Sequence, residues 1–169
     1  RWRGAARRAL DQFDEAIADY SEAIRLDPEN ANFYLHRGVV FQEDDDFDAA
    51  IADYSHVIQL DSTDTSAYLY RAQVYYRLGD YEEALTDLNF VIETDPSNSE
   101  AFRLRGRIRK SEEELLLAIA DYTQAIHLDP ENVRAHCNRG DAWAEIEEFE
   151  KAVADFTEAL QLDPKNKSA

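Results

Sequence analysis

Nucleophilic or metal chemistry would need a thiol or an imidazole set beside a partner, and this chain offers one cysteine, Cys137, and four histidines, His36, His56, His127 and His136. None of the histidines stands at metal-ligand spacing from another or from Cys137. His136 and Cys137 are neighbours, and adjacent side chains on a helix diverge by about 100°, which is wrong for a base and the nucleophile it would activate. These five residues therefore read as core or surface positions, Cys137 as a small core residue. The acidic runs Asp44-Asp45-Asp46, Glu112-Glu113-Glu114 and Glu147-Glu148 fall near turns. The first lacks the alternating ligands and glycine of a calcium loop, and all three read as solvated ends that keep the chain soluble. No catalytic residue, metal site or cofactor is expected, and the chain is not expected to be an enzyme.

Cations tell a different story. Arg103, Arg107 and Lys110 recur at i, i+4 and i+7 and so share one face of a helix. They do so in a chain with 36 Asp and Glu against 18 Lys and Arg, a net charge of -18, which makes a basic stripe a local anomaly. Guanidinium groups form paired, charge-assisted hydrogen bonds with carboxylates. The overall sign, by contrast, repels phosphate backbones and anionic head groups, so neither nucleic acid nor a membrane surface is an expected partner. No apolar run approaches the roughly 18 residues of a membrane span, and no charged-then-apolar leader opens the sequence. The lack of any Met suggests an excised or processed piece. One cysteine excludes an internal disulfide and leaves the compartment open, with the cytoplasm preferred.

The elements that must carry these residues are written into an internal period. Ile17-Ala-Asp-Tyr20 recurs at Ile51 to Tyr54 and at Ile119 to Tyr122, offsets of 34 and 68. Leu85-Thr-Asp-Leu88 and Val153-Ala-Asp-Phe156 fill the remaining registers. A fixed period of this size implies one continuous array: a partial repeat 1–30, repeats 31–64, 65–98, 99–132 and 133–166, and a tail 167–169. All four prolines, Pro28, Pro96, Pro130 and Pro164, share one repeat position, with Ser62 in the remaining register. Each follows Asp, where a fixed φ and missing N–H stop one helix before the next begins. Gly4, Gly38, Gly106 and Gly140 share another position, filled by Ala72 in the third register. Glycine inside a helix costs about 1 kcal/mol relative to alanine, so its return implies a close approach of two helices. Tyr68, Ala72 and Tyr75, then Ala84, Leu85, Leu88, Val91 and Ile92, give each repeat two amphipathic helices separated at Gly79-Asp80. Each would be about 20 Å long and too short to stand alone, so stability must come from stacking.

These residues resemble the tetratricopeptide family, whose helix-turn-helix unit carries a bulky residue, a small one, an aromatic, then Ala, an aromatic, Ala and Pro at set spacings. Tyr68, Ala72, Tyr75, Tyr81, Ala84, Val91 and Pro96 fill those places, as do Tyr34, Gly38, Phe41, Phe47, Ala50, Tyr54 and Val57. The fourth repeat departs, with Arg109 in place of an aromatic and Glu113 where the turn glycine often sits, so its helix-helix corner is expected to be irregular. The resemblance implies an all-α superhelical solenoid, first helices lining a concave groove and second helices outside, in an interaction module that holds a protein or peptide. It places Arg103, Arg107 and Lys110 in the groove with Leu69, Gln73, Tyr76 and Arg77 of the preceding repeat and Asn138 and Asp141 of the following one. Such a groove suits an acidic segment or a C-terminal carboxylate. Members that clamp a chaperone C-terminus use Lys and Asn where Leu35, Val39, Leu69 and Gln73 stand here, so that particular clamp is not implied.

Two further patterns carry expectations. Arg3, Arg37, Arg71, Arg105 and Arg139 recur at one position and Asp19, Asp53, Asp87, Asp121 and Asp155 at another. Set beside the small residue of the first helix and within the second, they would form a ladder of partly desolvated pairs that sets register more than net stability. Solenoids also need capped ends. The first repeat lacks the beginning of its first helix and no polar helix follows Leu160 and Leu162, so Val153, Phe156 and Leu160 are expected to be covered by missing sequence, by a partner, or by self-association into a homo-oligomer.

Overall fold

The computed structural model describes residues 2–10 and 12–164, the side chains at positions 2 and 3 excepted. Among the described residues the chain is entirely helical outside its turns. The helices are α1 (Trp2–Arg8), α2 (Phe13–Leu26), α3 (Ala31–Glu43), α4 (Phe47–Leu60), α5 (Thr65–Leu78), α6 (Tyr81–Thr94), α7 (Ser99–Ser111), α8 (Leu115–Leu128), α9 (Val133–Glu145) and α10 (Phe149–Leu162). They fall in pairs, one to the partial first repeat and one to each of the four 34-residue repeats. Two compact units divide them, Arg1–Phe90 and Val91–Ala169.

Short-range chemistry explains the boundaries. The Asp preceding each proline closes the last turn of a second helix, as when the Asp27 N–H donates to Ala23 O and that of Asp129 to Ala125 O. Proline then prevents continuation. Three of the following first helices are capped by a side chain, whereas Asn30 before α3 makes no such bond: Asp64 accepts from the N–H groups of Ser66 and Ala67, Asn98 from Ala101 and Asn132 from Ala135. These caps satisfy amide donors that a helix start leaves without partners.

The turn inside each of the last four pairs depends on one residue in the left-handed region. Gly79 takes φ 89°, where only glycine is unstrained, yet Asp45, Glu113 and Glu147 take φ 59°, 62° and 63°. The next amide closes the turn by donating back to the helix: Asp80 to Tyr75 O (2.9 Å), Asp46 to Phe41 O (2.9 Å), Glu114 to Arg109 O (2.8 Å), Glu148 to Trp143 O (2.9 Å). The expected irregular corner at Glu113 is thus not found. The hydrogen bonds impose the geometry, and the residue there absorbs the conformational cost.

Within the first unit, Ala16, Tyr20 and Val40 form one cluster with Phe13 and Ile17, and Ala50, Tyr54 and Val74 another with Phe47, Ile51 and Tyr70. In the second, Ala118, Ile119, Tyr122 and Ala142 pack with Trp143 and Ile146. The repeated glycine lies under the aromatic ring of the partner helix. A Cβ on Gly106 would stand 2.6 Å from Tyr122 Cε1, one on Gly38 2.8 Å from Tyr54 Cε1, and one on Gly140 2.7 Å from Phe156 Cε1. Where the repeat carries Ala72, the aromatic position holds Leu88. The two positions therefore change together, because a thinner aliphatic side chain leaves room for one methyl group.

Candidate functional site

The repeated Arg and Asp meet as bidentate pairs. Arg37 donates from Nε and Nη2 to Asp53 at 2.8 and 2.7 Å, Arg71 to Asp87 at 2.8 and 2.8 Å, Arg105 to Asp121 at 3.0 and 2.8 Å, and Arg139 to Asp155 at 2.8 and 2.7 Å. The third guanidinium nitrogen reaches the preceding repeat: Arg37 donates to Ser21 Oγ, Arg71 to Ser55 Oγ and Arg139 to Thr123 Oγ1. Arg37, Arg71 and Arg139 thus each join three helices through one planar group. The carboxylate raises the pKa of Arg37 and of Arg71 above the ordinary value, through the hydrogen bond first and charge attraction besides, against desolvation. Arg37 also lies between the rings of Tyr34 (5.8 Å) and Phe41 (5.7 Å), and Arg71 between Tyr68 (5.6 Å) and Tyr75 (5.8 Å).

Two cations outside the repeated Arg position also reach the ladder. Asp19 pairs with Arg7 at 2.8 Å, while the Arg3 side chain lies outside the described residues. Arg109, which the sequence marked as a break in the pattern, places Nη1 2.8 Å from Asp121 Oδ2. It replaces the second aromatic flank with a second guanidinium on the same carboxylate, so it belongs to the ladder.

The groove candidates separate between the units. Leu69 and Gln73 are half-buried on α5 of the first unit. Tyr76 stacks on Tyr81 at 5.9 Å. Arg77 is engaged by its own unit, with Nη2 2.8 Å from Asp45 Oδ1 and the guanidinium 4.6 Å over the Phe47 ring. The first unit also holds a small cavity of 280 Å³ lined by Leu35, His36, Val39, Gln42 and Tyr70, with the Arg8–Glu43 pair at its edge.

In the second unit Arg103, Arg107 and Asn138 come together. They line a cavity of 440 Å³ with Val133, Arg134, Cys137 and Asp163. Arg103 is 5% exposed and held by Glu100, Nε to Oε2 at 2.8 Å and Nη2 to Oε1 at 2.6 Å, so the sequence expectation of an exposed groove cation is corrected to a buried, braced wall. Arg107 is half-buried and Arg134 exposed. Asn138 Nδ2 is buried without a hydrogen-bond partner, a costly state that a ligand oxygen would relieve. Lys110 is drawn to Glu145 at 2.8 Å. Asp141, which does not line the cavity, has its carboxyl raised above the usual range by desolvation, with Lys110 pulling it down and Glu145 up.

Sequence reasoning missed Arg134, although Arg134, Asn138 and Asp141 have the same i, i+4, i+7 spacing that singled out the α7 cations. It could not place Cys137 or Asp163 there, because their arrival depends on packing. His136 turns the other way from Cys137: its Nε2 donates to Pro130 O at 3.1 Å and Nδ1 lies 3.5 Å from Asp155 Oδ1. His36 stacks on Tyr20, and the His56 ring lies tilted against that of Tyr34.

Arrays of helix pairs like this one are matched widely among solved structures. A MamA crystal structure is 25% identical, the match covering 96% of this chain and 95% of that one at a TM-score of 0.83. YrrB, described as a TPR protein with an unusual peptide-binding site, is 21% identical over 98% of this chain and 85% of its own, at 0.74. PilF of Pseudomonas aeruginosa is 19% identical over 96% and 74%, at 0.87. No curated protein matches the sequence. Family models described as TPR repeat match residues 4–45 and 106–146, and models described as tetratricopeptide repeat match 38–109 and 133–166. Fold and site thus define an all-α solenoid of the kind that serves as a protein-interaction scaffold. The chain belongs to the tetratricopeptide repeat family. No helix among the described residues is long and apolar enough to cross a membrane.

Proposed function

We propose that the second unit holds an acidic protein segment, or a C-terminal carboxylate, on the face built by α7 and α9. The observation that carries this reading is a 440 Å³ cavity lined by Arg103, Arg107 and Arg134 in a chain of net charge -18. Arg107 and Arg134 would grip a carboxylate, the Asn138 amide would donate to a ligand carbonyl, and Arg103, braced by Glu100, would form the wall behind them. Lys110 and Asp141 remain proposed contacts for further residues of this ligand, and Leu69, Gln73, Tyr76 and Arg77 remain proposed peptide contacts within the first unit by itself. The test measures anisotropy of a labelled Asp- and Glu-rich peptide with the Arg107→Glu/Arg134→Glu protein. Charge-assisted hydrogen bonds contribute about 1.5–3 kcal/mol each, so affinity should fall at least roughly tenfold. Unchanged affinity overturns the reading.

A second reading, assembly of copies through the outer face of α10, rests on its exposed apolar stripe. Phe149 and Val153 are 62% and 64% exposed, whereas Phe47 and Ile51, at the same repeat positions, are covered by a cluster containing Tyr70 and Val74 of α5. Light scattering over a concentration series tests this, and a strict monomer excludes it.

A further inference from the structure

The start of α8 breaks the repeat in a way that neither stacking nor the cationic cavity uses. The two positions after the first residue of each second helix hold Asp14 and Glu15, Asp48 and Ala49, Glu82 and Glu83, and Glu150 and Lys151. These are charged apart from Ala49, and every charged one is exposed. In α8 the same two places hold Leu116 and Leu117, 71% and 48% exposed. Four repeats build the same helix with polar or small residues there, so the fold does not require leucine. A single exposed leucine is ordinary, but an adjacent pair replacing charges is a patch.

The acids before this pair are also unlike those of neighbouring turns. Asp45 is paired with Arg77 and Glu148 with Lys151, whereas Glu112, Glu113 and Glu114 are all exposed and meet no cation among the described residues. Two leucines beside three uncompensated carboxylates complement a segment with apolar side chains on one face and Lys or Arg beside them. We propose that Leu116, Leu117 and Glu112–Glu114 form a docking surface for a basic amphipathic protein segment. This surface takes a ligand of opposite charge to the one suited to Arg107 and Arg134, and it does not depend on that reading.

The probe is a synthetic amphipathic helix with leucines along one face and lysines flanking them, titrated into the full chain, into Leu116→Gln/Leu117→Gln and into Glu112→Gln/Glu113→Gln/Glu114→Gln. Because other repeats carry polar residues at positions 116 and 117, the leucine variant should keep the wild-type circular dichroism and melting temperature. Each variant should bind at least roughly tenfold more weakly than the parent, and a peptide with glutamate in place of lysine should show no affinity that depends on Leu116 and Leu117. Loss of affinity with the glutamate variant alone would show attraction to an acidic protein and overturn the proposal. Self-association of the parent that the leucine variant abolishes would identify the occupant as a second copy and overturn it too, as would flotation on phosphatidylserine vesicles that depends on the two leucines.

Discussion

Replacing Gly106 with alanine sets two effects of known sign against each other. On helix propensity alone, the change should stabilise α7 by about 1 kcal/mol. The new Cβ, however, would lie 2.6 Å from Tyr122 Cε1 and 2.8 Å from Cδ1, with the Ala118 carbonyl oxygen at 3.2 Å. That is about 1 Å inside ordinary carbon–carbon contact. The Tyr122 ring is 0% exposed and cannot swing into solvent, so the strain belongs at the upper part of the roughly 1–3 kcal/mol range for overpacking. The net expectation is a destabilisation of about 1–2 kcal/mol, read by urea unfolding. In a Tyr122→Leu background, which reproduces the natural Ala72 and Leu88 combination, the same substitution should become stabilising by up to about 1 kcal/mol. The double-mutant cycle should therefore return a coupling of about 2 kcal/mol between the two positions. Stabilisation by Gly106→Ala in the parent, or a coupling near zero, would refute the argument that the ring dictates the glycine.

The ladder predicts that Asp87→Asn weakens the array by about 2–3 kcal/mol, because Arg71 is left partly buried without its carboxylate; peptide affinity in the second unit should not change, and loss of binding without loss of stability would contradict a structural role. Asp121→Asn should cost more than Asp87→Asn in the same unfolding assay, since it strands Arg105 and Arg109 together. Glu113→Gly should raise the melting temperature by relieving a left-handed non-glycine residue, a gain of about 1 kcal/mol. Burial drives the Tyr54 phenol pKa up strongly and that of Tyr75 up as well. The neutral phenols are the forms the fold favours, so this stability is present below the unfolded pKa of about 10 and is lost as pH rises through the folded values. Phenolate absorbance should accordingly show tyrosines that ionise only as the helices unfold at alkaline pH.

Much of this molecule is legible in the chain because a repeat states its stacking requirements several times over. The period, the two helices of each repeat, the proline stops and the recurring Arg and Asp were all readable without coordinates, since each depends on local spacing or on residues returning at one offset. The anomaly of Arg103 and Arg107 was readable for the same reason. What tertiary structure alone decided lies where one helix meets another. The ring over Gly106 explains why Ala72 accompanies Leu88, and Asp121 turns Arg109 from an apparent exception into a second rung. Glu100 buries Arg103 against its own helix, while packing carries Arg134, Cys137 and Asp163 to the cavity that Arg107 and Asn138 share. Turn hydrogen bonds force Glu113 into a conformation its own preferences disfavour. Periodicity records which face of a helix is covered, but the identity and distance of the covering side chain are set only when the helices pack.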